Sequence, residues 1–197
     1  MSYIQLRLSN LLTTIAQLLI ILIVYGRKTR RFFMTPEELI NLQRETIVQH
    51  MKGENDHNWT MVYDTFIQDS TSWYDVVPLS NKFEGFSGVQ EFYQVFESAV
   101  PDFFITVTAE YDTPGCSIRE VTITGTHQGE YCGVQPTGKP ISFELAAFYI
   151  FGTGDTAGKL IAERIYFDNE TVLRQMRGEA DAPKGVGLAD RMLVGAR

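Results

Sequence analysis

The stretch "KLIAERIYFDNETVLRQM", Lys159–Met176, alternates like a strand and then turns helical, with Asp168 at the switch. Two roles suit that residue. Asp is a preferred N-cap, and a helix follows. A carboxylate beside bulky Ile165, Tyr166 and Phe167 can also act as a base facing an apolar pocket, because poor solvation raises its proton affinity. One position can do both, capping with one oxygen and facing the pocket with the other. Strand alternation puts Arg164, Tyr166 and Asp168 on one face. His127, in "GTHQGEY" (Gly125–Tyr131), sits mid-strand beside glycines, where a close backbone approach is expected. It is either a satisfied strand histidine or a pocket-lining group. Trp59, Tyr63, Trp73 and Phe92 are core aromatics or pocket walls, and Asp75 is a second candidate carboxylate.

Other chemistries find little support. "GVQPTGK" (Gly133–Lys139) begins like a phosphate-binding loop, but Pro140 stands where the magnesium-binding Ser or Thr belongs, Pro136 removes a needed N–H, and a strand pattern follows. His50 and His57 flank the polar break "GENDH" without an H-E-x-x-H, so they read as solvated loop residues and no metal site is expected. No G-x-S-x-G occurs. Cys116 and Cys132 make no disulfide framework and match no metal spacing; they read as small, buried or half-buried hydrophobes.

The elements that must position these groups follow from periodicity. "TPEEL" (Thr35–Leu39) carries a cap, a first-turn proline and a capping-box Glu38, predicting a helix to about Met51. A second short helix is expected over Asn58–Phe66, then short extended pieces around a loop within Phe66–Gly88, then a helix capped by Ser87 and ended by Pro101. The period then changes to two: Phe103–Glu110, Ile118–Tyr131, Lys139–Phe151 and Lys159–Asp168 read as four strands of an antiparallel meander, followed by a helix over Asn169–Arg177. Helices first and a long sheet afterwards make the fold class α+β.

The 197-residue chain has 17 basic and 24 acidic side chains. Five of the basic residues and no acidic one lie in 1–36, which leaves 12 basic against 24 acidic in the body, a formal charge of −12. Such a body repels phosphate backbones, so nucleic-acid binding is excluded. Leu8–Gly26 runs 19 residues without a charge and is followed by "RKTRR". That is long enough for one membrane helix holding the body in the cytoplasm; alternatively, Met34 is the initiator and 1–33 a non-functional extension. The working domain is expected over 34–178, with a loose tail over 179–197.

"GTHQGEYCGVQPTGKPISFELAAFYIF", followed by "GKLIAERIYFDNETVLRQM" and with "VPDF" (Val100–Phe103) upstream, resembles the SnoaL-like (ester cyclase or polyketide cyclase) branch of the nuclear transport factor two-like superfamily, over about Leu39–Gly178. The resemblance implies a cone-shaped, strongly curved antiparallel sheet wrapped around N-terminal helices, often in a homodimer. It also implies intramolecular aldol ring closure of a small hydrophobic, carbonyl-rich ligand without metal or organic cofactor. The family's acid/base aspartate falls on Asp168, with His127 as its candidate companion. Family members carry a polar helper, often histidine, on the strand before the last. Here "FELAAFYIF" (Phe143–Phe151) offers only Glu144 and Tyr149. Arg164 stands where tryptophan is usual; it either lowers the proton affinity of Asp168 or binds an anionic substrate. Together with Tyr166, Trp59, Tyr63, Trp73 and Phe92, these complete the expected substrate contacts. A non-catalytic small-molecule binder and a dimerising interaction protein of the same fold are the alternatives.

Overall fold

The computed structural model describes residues 34–182. The expected span at Leu8–Gly26, its basic flank and most of the expected tail lie outside them. Among the described residues no helix is long and apolar enough to cross a membrane. That finding corrects the expectation of a membrane helix and of a membrane-anchored cytoplasmic domain.

Helix α1 (Pro36–Asn55) opens on a proline, with Glu37 and Glu38 in its first turn and Lys52 in its last, as the helix dipole favours. It continues past Met51, through "GEN". Its buried stripe, Gln43, Ile47, His50 and Glu54, follows a helical spacing of three and four residues. Gly53 permits the continuation: a Cβ there would stand 2.9 Å from Val62 Cγ2 on helix α2 (Trp59–Tyr63). Asn58 caps α2, its side chain accepting from the Met61 N–H at 3.2 Å.

The extended pieces after α2 are strands β1 (Trp73–Val76) and β2 (Asn81–Glu84). Helix α3 (Gly85–Ala99) begins two residues before Ser87, after an extended Glu84 that makes no side-chain cap. Strands β3 (Phe104–Thr113), β4 (Cys116–Thr126), β5 (Pro140–Phe151) and β6 (Leu160–Phe167) follow, and helix α4 (Asn169–Arg177) comes after them with the expected bounds. All six strands join one sheet in the order β2-β1-β6-β5-β4-β3. The β3-β4-β5-β6 meander is antiparallel, but β1 runs parallel to β6, so the sheet is mixed rather than wholly antiparallel. The connection from β1 to β6 contains β2, α3 and strands β3, β4 and β5, long enough for the crossover that a parallel neighbour requires.

Alternation sorts the sheet into two faces. Ile141, Phe143, Leu145, Ala147, Tyr149 and Phe151 of β5 are buried, as are Val121 and Ile123 of β4. They meet Ile47 and Met51 of α1, Val89 and Tyr93 of α3, and Val172 and Met176 of α4 in one core. α4 is fixed to β5 by Gln175, whose side-chain oxygen accepts from Ser142 N at 2.7 Å while its amide donates to Ser142 O at 2.9 Å.

Candidate functional site

Between the sheet and the helices lies a cavity of about 100 Å³. Its wall is mostly aliphatic and aromatic, including Phe92, Phe96, Val121, Ile123, Phe143 and Leu145. The exceptions are Asn81, the tyrosines Tyr74, Tyr93, Tyr131 and Tyr149, and two carboxylates, Glu54 and Glu163; among the described residues no Lys, Arg or His lines it.

Sheet register brings three of these polar groups together. Glu163 on β6 pairs with Tyr74 on β1 and with Tyr149 on β5, so the three side chains form a row across neighbouring strands. The helices supply the rest. His50 and Glu54 stand one turn apart on α1, and Tyr93 comes from the buried face of α3. His50, Glu54, Glu163, Tyr74, Tyr93 and Tyr149 are all at least nine-tenths buried.

The hydrogen bonds define protonation. Thr65 donates its single hydroxyl proton to Val62 O at 2.6 Å, so it accepts from His50 Nδ1 at 2.8 Å, and Nδ1 carries a hydrogen. His50 Nε2 then faces Tyr93 Oη at 3.0 Å, Glu54 Oε1 at 3.4 Å and Glu163 Oε2 at 3.4 Å. Tyr93 Oη also lies 3.1 Å from Glu54 Oε1 and 3.3 Å from Glu163 Oε2, and Tyr74 donates to Glu163 Oε1 at 3.0 Å. Burial alone would lower the His50 pKa; the Glu54 charge and the Glu163 hydrogen bond outweigh it and raise it from 6.5 to about 10. Glu163 is also pushed up, by burial first and by the neighbouring Glu54 charge, against the pull of His50. Burial, then the Glu163 and Glu54 charges, holds the hydroxyls of Tyr74, Tyr93 and Tyr149 well above 10. The cluster therefore keeps an imidazolium beside the two carboxylates, Glu54 and Glu163.

One atom of the cluster stands apart. Glu54 Oε2 is buried and has no hydrogen-bond partner among the described residues. His50, Glu54 and Glu163 also offer ligand atoms within 4.8 Å of one another, the donor types of a divalent-cation site. His50 Nε2, Glu54 Oε1 and Glu163 Oε2 already share Tyr93 as a hydrogen-bond partner.

Most residues singled out from sequence lie elsewhere. Asp168 is exposed, caps α4 and does not line the cavity. Its Oδ1 accepts from the N–H groups of Glu170 at 3.1 Å and Thr171 at 3.2 Å, and its Oδ2 accepts from the Thr171 hydroxyl at 2.6 Å. Those bonds hold its carboxyl below the usual carboxylate range, the opposite of what a base needs. The placement corrects the expected pocket-facing Asp168. Arg164 and Tyr166 do share its face, but it is the face turned away from the cavity. Arg164 Nε donates to Asp75 Oδ2 at 2.8 Å and its guanidinium stacks 5.1 Å from the Trp73 ring, while Tyr166 packs on Phe148. Glu144 is exposed on β5. Trp59 and Tyr63 pack behind the cavity, each against Tyr93. His127 is fully buried but away from the cavity: Thr137 donates to Met176 O, so His127 Nδ1 donates to Thr137. Only Tyr149 and Phe92 of the expected contacts line the cavity.

His50 was expected in a solvated loop; its burial corrects that. Glu54 and Glu163 were missed. The signal for Glu54 was its spacing of four from His50, visible once the helix is carried past Met51. The signal for Glu163 was parity, since it shares a strand face with Ile165 and Phe167.

With this geometry established, the comparisons can be set beside it. The profile of the SnoaL-like polyketide cyclase family matches residues 45–176. The chain belongs to that family. Three solved structures illustrate the shared fold. AclR of Streptomyces galilaeus is 21% identical, with 80% of this chain and 94% of that one covered and a TM-score of 0.59. A SnoaL-like protein of Jannaschia sp. CCS1 is 16% identical, with 73% and 96% covered and a TM-score of 0.63. IdmH of Streptomyces antibioticus is 19% identical, with 68% and 98% covered and a TM-score of 0.57. A comparison with curated proteins gives no match.

Proposed function

We propose that this protein is a cyclase or isomerase acting on a small hydrophobic carbonyl compound bound in the cavity, with Glu163 as its base. The observation that carries the reading is Glu163 itself: a buried carboxylate in a mostly apolar wall, with its proton affinity raised by that burial. A base of this kind removes a proton next to a carbonyl far better than a solvated carboxylate does. The acquired proton sits on Glu163, and the resulting enolate carbon attacks a second carbonyl of the same molecule, forming the new carbon–carbon bond. The proton then returns to the alkoxide so formed, leaving Glu163 as it began. Tyr74 and His50 hold the carboxylate in place, and the apolar wall excludes water. Among the described residues no Lys or Arg lines the wall, which favours a substrate without negative charge.

The test is product formation by the full chain against a panel of polyketide esters and β-dicarbonyl compounds, followed by mass spectrometry. Glu163→Gln is expected to abolish a ring-closed product that Asp168→Asn leaves intact. Loss of product in Asp168→Asn but not in Glu163→Gln would overturn the assignment.

A further inference from the structure

The cluster contains an imbalance that the proposed reaction does not use. Two carboxylates, Glu54 and Glu163, face one imidazolium, and among the described residues no Lys or Arg lines the cavity to supply a second positive charge. Glu54 lines the cavity, is 4% exposed, and leaves Oε2 without a hydrogen-bond partner among the described residues. A buried carboxylate oxygen left without a donor is costly, and that cost is removed by whatever ligand group supplies one. The neighbouring walls are aromatic: Tyr74, Tyr93, Phe92 and Phe96 line the same cavity. Ring faces together with an unpaired carboxylate oxygen recognise an organic cation.

We infer that the cavity takes a hydrophobic ligand bearing a protonated amine, whose N–H donates to Glu54 Oε2. The inference rests on the proposed function only in treating the cavity as the ligand site.

The experiment is calorimetry on the full chain with three probes of one shape: 1-naphthylmethylamine, 1-naphthylmethanol and 1-naphthoate. The amine is expected to bind most tightly and the carboxylate most weakly. A hydrogen bond to a charged group implies an amine preference over the alcohol of roughly ten- to a hundred-fold. Glu54→Gln should remove the preference. The ranking of the three probes on the unaltered protein decides the matter even if the variant fails to fold. Equal binding of all three, or tighter binding of naphthoate, would overturn the inference. Amine binding that depends on Glu54, without ring closure of any substrate, would sustain the inference and sink the catalytic reading. Glu163-dependent ring closure without amine preference would do the reverse.

Discussion

If His50 is an imidazolium held between Glu54 and Glu163, its charge must appear in the pH dependence of folding. The folded-state pKa is raised from 6.5 to about 10. Its stabilising contribution is therefore fully present below pH 6.5 and is lost as pH rises through about 10, because over that interval the unfolded chain gives up a proton that the folded one keeps. Linkage over the first part of the interval gives a fall of about 2 kcal/mol between pH 6.5 and 8.5. Stopping there avoids the window in which tyrosines of the unfolded chain titrate; Cys116 and Cys132, both raised in the fold, begin to ionise in the unfolded chain below that pH and add to the fall in the same direction. Glu163 is also raised, so its contribution is likewise present below its unfolded value near 4.5 and lost as pH rises, in the same direction. The assay is urea unfolding followed by circular dichroism at several pH values, on the wild type and on Glu163→Gln. The glutamine keeps an acceptor for the Tyr74 hydroxyl but leaves His50 with Glu54 alone. The variant should show a shallower fall over the same interval. A wild-type stability that is flat from pH 6.5 to 8.5 would refute the charged histidine and, with it, the account of the cluster.

Other outcomes follow from the same contacts. Tyr93→Phe removes the hydroxyl shared by His50, Glu54 and Glu163, and should lower unfolding stability by about 1–3 kcal/mol through buried groups left short of a partner. Asp168→Ala should fray α4, seen as a lower thermal midpoint, without changing ligand affinity, since the carboxylate caps the helix and does not line the cavity. Ile123→Phe adds bulk to the cavity wall and should weaken naphthyl-probe binding by ten-fold or more on the order-of-magnitude scale of lost apolar contact. Gly129→Ala should strongly reduce soluble folded protein, because its Cβ would stand 2.0 Å from the Ser98 carbonyl oxygen.

The fold was largely legible because its signals are local and repeated. Period-two alternation located β3 to β6, and the strand-to-helix switch located α4 with its bounds. The parallel pairing of β1 with β6 was not legible, since strands of only four residues carry little period of their own. The site was misread for two physical reasons. On β6 the question was which face turns inward; Arg164 and Asp168 drew attention, yet Ile165 and Phe167 belong to the opposite face and carry Glu163 in with them. On α1, "GENDH" looks like a break, so His50 and Glu54 fell into an apparent loop. Gly53 is there for close approach to α2, not to end the helix. The placement of Tyr93 opposite both is a tertiary fact that no spacing reveals.

The central claim is that Glu163 is a base facing the cavity. It is tested most directly by hydrogen–deuterium exchange at the acidic carbon of 2-tetralone, an apolar bicyclic ketone, in D₂O with the full chain, followed by NMR. The account predicts exchange above the buffer rate, lowered by about 10²-fold or more in Glu163→Gln, as loss of a general base implies, and unchanged in Asp168→Asn. Exchange that survives in Glu163→Gln and disappears in Asp168→Asn would contradict it.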